Sequence, residues 1–103
     1  MDFVLKLHKY KLEPELEAEP CMALPEHQDL SFITIINQNQ VNGLEIKTRD
    51  GDWIAFDDAS PSSLVVMACD GLQVWSNDRI EACKHRVIMS GSKVRYSCLV
   101  ICL

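Results

Sequence analysis

The sequence predicts an all-β fold, a double-stranded β-helix or jelly roll, and three observations predict it. About eight short runs rich in β-branched and aromatic residues recur along the chain, turn signals separate them, and no stretch carries a persuasive amphipathic helical period. Two facing antiparallel sheets solve the edge problem for such strands and leave a cavity between them. The 103 residues bound the chain to one domain, residues 1–103. At that size only about two thirds of the unfolded surface can be buried.

Taken in order, Phe3 to Lys11 alternates, Phe3, Leu5 and Leu7 opposing Lys6 and His8, and stops in the acidic Pro-Glu-rich loop of residues 13–20. Cys21 to Leu24 resumes as a strand leading into Pro25 and the segment His27-Gln28-Asp29. Ser31 to Asn37, SFITIIN, suits a pleated surface and is too short for a helix. Gly43 to Thr48 and Trp53 to Phe56 flank Asp50-Gly51, the strongest short hairpin signal in the chain. A turn at Pro61-Ser62-Ser63 precedes the apolar run Leu64 to Ala68, which reads as a buried strand. Gly71 to Ile80 has no clear period and contains the turn Ser76-Asn77-Asp78. Cys83 to Ser97 reads as a hairpin turning at Ser90-Gly91-Ser92, which predicts that His85 and Arg95 meet across one ladder.

Composition narrows the function. The net charge of −5 is scattered, and no Lys/Arg stripe exists to follow a duplex, which argues against nucleic acid as a partner. Five cysteines, an odd number with no CxxC pair, read as reduced thiols in an intracellular, cytoplasmic setting. Lys6, His8 and Lys9 interrupt the only apolar stretch near the N-terminus, so no signal peptide and no membrane span is expected.

The candidate chemistry lies in two constellations. In an extended segment His27 and Asp29 face the same way while Gln28 points elsewhere. Alone that is a weak motif. With His85 it completes two imidazoles and one carboxylate, the facial set of non-haem Fe(II) oxygenases, which leaves three coordination positions open. Arg95 and Ser97, two apart on one strand, share a face and supply a bidentate donor for the distal carboxylate of a 2-oxo acid. A zinc hydrolase is a distant alternative for a His2Asp set, but it leaves Arg95 and Ser97 unexplained. The remaining polar and aromatic residues have plainer readings. His8 is a partly exposed histidine without a partner, Trp53 and Trp75 are packing residues, Arg79 and Arg86 are surface charges, and Cys83 is a small buried hydrophobe near His85.

On these residues, and on the stretches NQNQVNGLEIKTRDGDWI, LQVWSNDRIEACKHRVIMSG and RYS, the chain resembles the C-terminal catalytic core of plant 2-oxoglutarate- and Fe(II)-dependent dioxygenases. It is similar to the branch that includes the glucosinolate side-chain dioxygenases and deoxypodophyllotoxin synthase. The resemblance implies a cupin-like jelly roll in which His27, Asp29 and His85 ligate Fe(II), and Arg95 and Ser97 hold the 5-carboxylate of 2-oxoglutarate. Tyr10 falls where the family carries a tyrosine near this co-substrate. It further implies oxidation of a C–H bond of a small specialised metabolite by O2, release of succinate and carbon dioxide, and ascorbate as reductant.

Against the family pattern, the long N-terminal helical region is expected to be absent. Cys69 replaces a glycine before Asp70, and the chain ends CLVICL. Hence two readings stand: an oxygenase, and a truncated non-catalytic remnant that keeps the metal site without a substrate pocket.

Overall fold

The computed structural model describes residues 2–16, 18–57 and 62–103. Eight strands form two four-stranded antiparallel sheets: β1 (Phe3–Tyr10), β2 (Cys21–His27), β3 (Ile33–Gln38), β4 (Leu44–Lys47), β5 (Trp53–Ala55), β6 (Val65–Ala68), β7 (His85–Met89) and β8 (Arg95–Cys102). The orders are β1-β8-β3-β6 and β2-β7-β4-β5, so consecutive strands alternate between sheets, with β4-β5 the exception. That alternation is the jelly roll. The turn expected at Pro61-Ser62-Ser63 lies partly outside the described residues, as does part of the acidic loop, where a 3-10 turn occupies Pro14–Leu16.

Period-two patterning decides which row of each strand faces inward. Thr34, Ile36 and Gln38 are the buried row of β3, His85, Val87 and Met89 that of β7, and Arg95 and Ser97 begin that of β8. A small apolar core of Ile36, Leu44 and Met67, with Phe56, Val65, Cys83 and Leu99 against it, closes part of the space between the sheets. On the opposite face of the first sheet Phe3, Leu5, Leu7 and Val66 remain exposed.

Three expectations are corrected. His85 and Arg95 do not meet across a hairpin ladder: β7 pairs with β2 and β4, whereas β8 pairs with β1 and β3. The turn signal was sound, since Gly91 sits at φ +77°, where a side chain would be strained. A turn marks a reversal and does not choose the partner. Crossing between sheets fills both edges of each strand and sets their buried polar rows facing one another. The second correction is a short helix, α1 (Asp70–Trp75), in the segment without a clear period; it buries no residue, so there was no apolar stripe to find. Its Trp75 is 78% exposed and meets only the edge of Phe32, so it does not pack a core. The third concerns Cys69, which precedes α1 with φ −121° and ψ 178°. This is ordinary extended backbone, and no glycine is required.

The Asp50-Gly51 signal holds. β4 and β5 form a hairpin with Lys47 opposite Trp53, and Gly51 takes φ +93° in the loop between them. Among the described residues, no helix is long and apolar enough to cross a membrane.

Candidate metal and anion site

The two histidines become neighbours through an irregular edge strand. β2 lies at the edge of its sheet, where Pro25 removes no needed ladder donor. Register shifts between Met22 and Leu24, and again between Leu24 and His27, re-aim its end so that His27 pairs directly with His85 on β7. Their ring centroids lie 4.2 Å apart. Asp29 follows in the loop, with its carbonyl accepting from the Asp70 N–H at 2.9 Å. Gln28 turns away to hydrogen-bond the Asp70 carboxylate, as the alternation anticipated. The helix missing from the sequence reading therefore braces the loop that presents Asp29. Gly71 lets it come close, because a Cβ there would sit 3.1 Å from the Ser31 carbonyl oxygen.

Hydrogen bonds assign both imidazole tautomers. His27 Nδ1 lies 2.8 Å from the Pro25 carbonyl and His85 Nδ1 lies 3.0 Å from the Cys83 carbonyl. A carbonyl only accepts, so each Nδ1 carries a proton, and in the neutral ring Nε2 presents a lone pair. Both Nε2 atoms face one oxygen, Asp29 Oδ1, at 3.4 Å and 3.8 Å. Burial, opposed by the Cys83 carbonyl bond, pushes the His85 pKa below the usual imidazole value, which favours the neutral ring. The three ligand atoms lie within 4.8 Å of one another. Two imidazole Nε2 atoms and a carboxylate oxygen converge, and that donor set fits a divalent cation.

The same cavity, about 260 Å³, extends from the triad to Arg95 and Ser97 on the opposite sheet. Arg95 is 2% exposed. Its Nη2 donates to Gln38 Oε1 at 2.6 Å, its Cζ lies 5.6 Å from the Tyr10 ring centre, and its Nε has no hydrogen-bond partner among the described residues. Burial pulls the guanidinium pKa down. The neighbouring Gln38 Nε2 is also buried without a partner. A buried charge with one neutral acceptor and two idle donors beside it fits an anion. Gly43 gives Arg95 its path, since a Cβ there would meet Arg95 Cδ at 3.1 Å. Tyr10 lines the cavity beside His8, with His8 Nδ1 3.1 Å from the Tyr10 hydroxyl oxygen.

All six candidate residues, His27, Asp29, His85, Arg95, Ser97 and Tyr10, thus border one cavity. Four further polar residues were not anticipated: Lys6 and His8 line the cavity, and Thr34 and Gln38 hold Asp29 and Arg95 from behind it. The signal was present for two of them, because reading SFITIINQ at period two puts Thr34 and Gln38 on one row with Ile36. Cys83 is half-buried, acts through its carbonyl on His85, and has its thiol pKa raised chiefly by burial. Arg86 lies away from the cavity: it is paired with Glu45 at 2.7 Å and stacked 3.8 Å over Trp53. A larger surface hollow between residues 47–51 and 81–84, about 460 Å³, contains the Arg49–Glu81 ion pair and none of the six candidate residues.

Comparison with known proteins agrees with this geometry. The profile of the 2OG-Fe(II) oxygenase superfamily matches residues 2–102. A probable 2-oxoglutarate-dependent dioxygenase, AOP1 of Arabidopsis thaliana, is 46% identical over 79 residues, which are 77% of this chain and 26% of that protein. Gibberellin 2-beta-dioxygenase 1 of Pisum sativum is 33% identical across 98% of this chain and 31% of its own length. Among solved structures, the 2-oxoglutarate complex of the dioxygenase for auxin oxidation 1 from Arabidopsis thaliana superposes with a TM-score of 0.86 at 30% identity. That match covers 96% of this chain and 37% of the other. The chain spans about a third or less of the length of these relatives. With its jelly roll, its His-Asp-His cluster and this match along nearly its whole length, the chain belongs to the 2OG-Fe(II) oxygenase superfamily.

Proposed function

We propose that the chain carries the catalytic centre of a 2-oxoglutarate- and Fe(II)-dependent oxygenase that oxidises a C–H bond of a small metabolite, releasing succinate and carbon dioxide. The observation that carries this reading is the convergence of His27 Nε2 and His85 Nε2, whose Nδ1 atoms are held by backbone carbonyls, on Asp29 Oδ1. On it, these three groups hold the iron, and Arg95 and Ser97 hold the distal carboxylate of 2-oxoglutarate from the facing sheet. Bound iron and 2-oxoglutarate together supply the oxidising power, with O2 as co-substrate and ascorbate as reductant.

The protein's part is to position and to shield. The Cys83 and Pro25 carbonyls keep the two imidazoles in the ligating tautomer. Gln38 steadies the Arg95 guanidinium and the Tyr10 ring flanks it. Leu24, Val87, Leu99 and Ile101 line the cavity and keep water from the space between iron and anion. The names of the relatives, gibberellin and auxin dioxygenases among them, support a small plant metabolite as substrate. The five free thiols suit a reducing cytoplasmic setting, and the whole chain works as one jelly-roll core.

The test is oxygen-dependent conversion of 2-oxoglutarate to succinate by the purified chain with Fe(II) and ascorbate. Turnover that disappears in His85→Ala supports the oxygenase. No turnover by the parent chain supports the alternative, a core that keeps the metal site without a working substrate pocket.

A further inference from the structure

We propose that Thr34 is the positioning residue that restricts the Asp29 carboxylate to a single coordinating oxygen; the inference rests on the reading of His27, Asp29 and His85 as a metal set. Thr34 has no solvent exposure, and its Oγ1 donates to Asp29 Oδ2 at 2.7 Å. The other carboxylate oxygen, Oδ1, is the one both imidazoles face. A hydroxyl has one proton, and here it is committed to the carboxylate. The other polar neighbours of Thr34 Oγ1 are Cys69 Sγ at 3.3 Å and Ser31 Oγ at 3.5 Å. With the Thr34 proton spent, either of these can bond Oγ1 only as a donor, and the Cys69 thiol also has the Met67 carbonyl as an acceptor at 3.6 Å. The buried hydroxyl thus keeps its one proton on the acid, and a bond from a hydroxyl to an ionised carboxylate is among the stronger ones.

The consequence concerns the coordination count. A carboxylate that chelates through both oxygens fills two positions and leaves an octahedral ion with two open. One whose second oxygen is held by a buried hydroxyl fills one position and leaves three. Two positions for 2-oxoglutarate and one for O2 require the latter. Thr34 reaches Asp29 from β3, where its side chain shares the inward row with Gln38, the partner of Arg95. One strand therefore steadies both ends of the cavity.

The test compares the parent chain with Thr34→Val, which keeps the shape and removes the hydroxyl, and Thr34→Ser, which keeps the hydroxyl. Mn(II) binding is titrated anaerobically, and the infrared carboxylate bands are recorded as metal-bound minus metal-free spectra of protein carrying 13C-carboxylate aspartate. The expected results are a single-oxygen carboxylate pattern in the parent, affinity weaker by about 10–100-fold in Thr34→Val, a shift there toward the chelating pattern, and recovery of both in Thr34→Ser. Parental affinity and bands in a folded Thr34→Val overturn the role of Thr34 and leave the metal set intact. A parent chain that binds no Mn(II) overturns the metal reading itself. Should Thr34→Val fail to fold, the parent spectrum and Thr34→Ser decide: a chelating pattern in the parent, or lost affinity in Thr34→Ser, overturns the proposal.

Discussion

Replacing Arg95 with methionine should stabilise the ligand-free chain and cut its response to 2-oxoglutarate to a third or less. The guanidinium is 2% exposed, has Gln38 Oε1 as its hydrogen-bond acceptor and leaves Nε without a partner among the described residues, so it carries a desolvation cost that one neutral acceptor does not offset. Exchanging poorly compensated buried charge for an apolar side chain of similar length is neutral or gains about 1–4 kcal/mol. For a chain of this size each kcal/mol raises Tm by about 4–8 °C. Binding moves the other way. Losing one partner of a buried, hydrogen-bonded charge pair costs about 2–5 kcal/mol. That is an affinity loss of roughly 30-fold to several thousand-fold. The assay is thermal unfolding with Mn(II) present, followed as 2-oxoglutarate is raised. At 100 times the parent's Kd the parent gains about 2.7 kcal/mol, and Arg95→Met gains less than about 1 kcal/mol. A variant that melts several degrees below the parent without ligand, or that keeps its 2-oxoglutarate response, refutes the reasoning: Arg95 is then structural.

Three further outcomes follow from the same geometry. Burial holds the folded His85 pKa below its ordinary 6.5, with Asp29 and His27 facing the ring, so around that pH the folded state binds fewer protons than the unfolded one. The stability this contributes is complete above pH 6.5 and is lost as pH falls through the folded value, so metal-free Tm should fall more steeply on acidification in the parent than in His85→Gln. Gly43→Ala should cost about 1–3 kcal/mol by overpacking, measured by urea unfolding, and should weaken 2-oxoglutarate binding, because the new methyl lies 3.1 Å from Arg95 Cδ and from the Ile88 carbonyl oxygen. Arg86→Ala should leave 2-oxoglutarate binding unchanged and cost about 1 kcal/mol through the lost Trp53 stacking and Glu45 pair; reduced co-substrate affinity would show that β7's outer face communicates with the cavity.

Much of the fold was legible because jelly-roll strands announce themselves locally. Phe3–Tyr10, Leu44–Lys47 and Trp53–Ala55 lie within a residue or two of where alternation and the Asp50-Gly51 turn put them. Strand partnership was not legible, since it is set by which edges remain unfilled; the His85 and Arg95 strands look like a hairpin and belong to opposite sheets. The six candidate residues share one cavity either way, because inward alternation is preserved when a strand changes partners. β2 was read as Cys21 to Leu24 leading into Pro25, yet at a bulged edge the proline is accommodated and the strand runs to His27. Helix α1 escaped notice because it buries no side chain and serves through backbone bonds to the Asp29 loop. Thr34 and Gln38 were hidden by the apolar run around them, although one face of that run is half polar.

Anomalous scattering from crystals grown with Mn(II) or Fe(II) locates the cation directly. The geometry predicts one strong peak per chain between the two sheets, about 2.0–2.2 Å from His27 Nε2, His85 Nε2 and Asp29 Oδ1, with Asp29 Oδ2 still bonded to Thr34. A peak held by other residues, or none at saturating metal, would contradict the shared cation and, with it, the oxygenase chemistry assigned to this cavity.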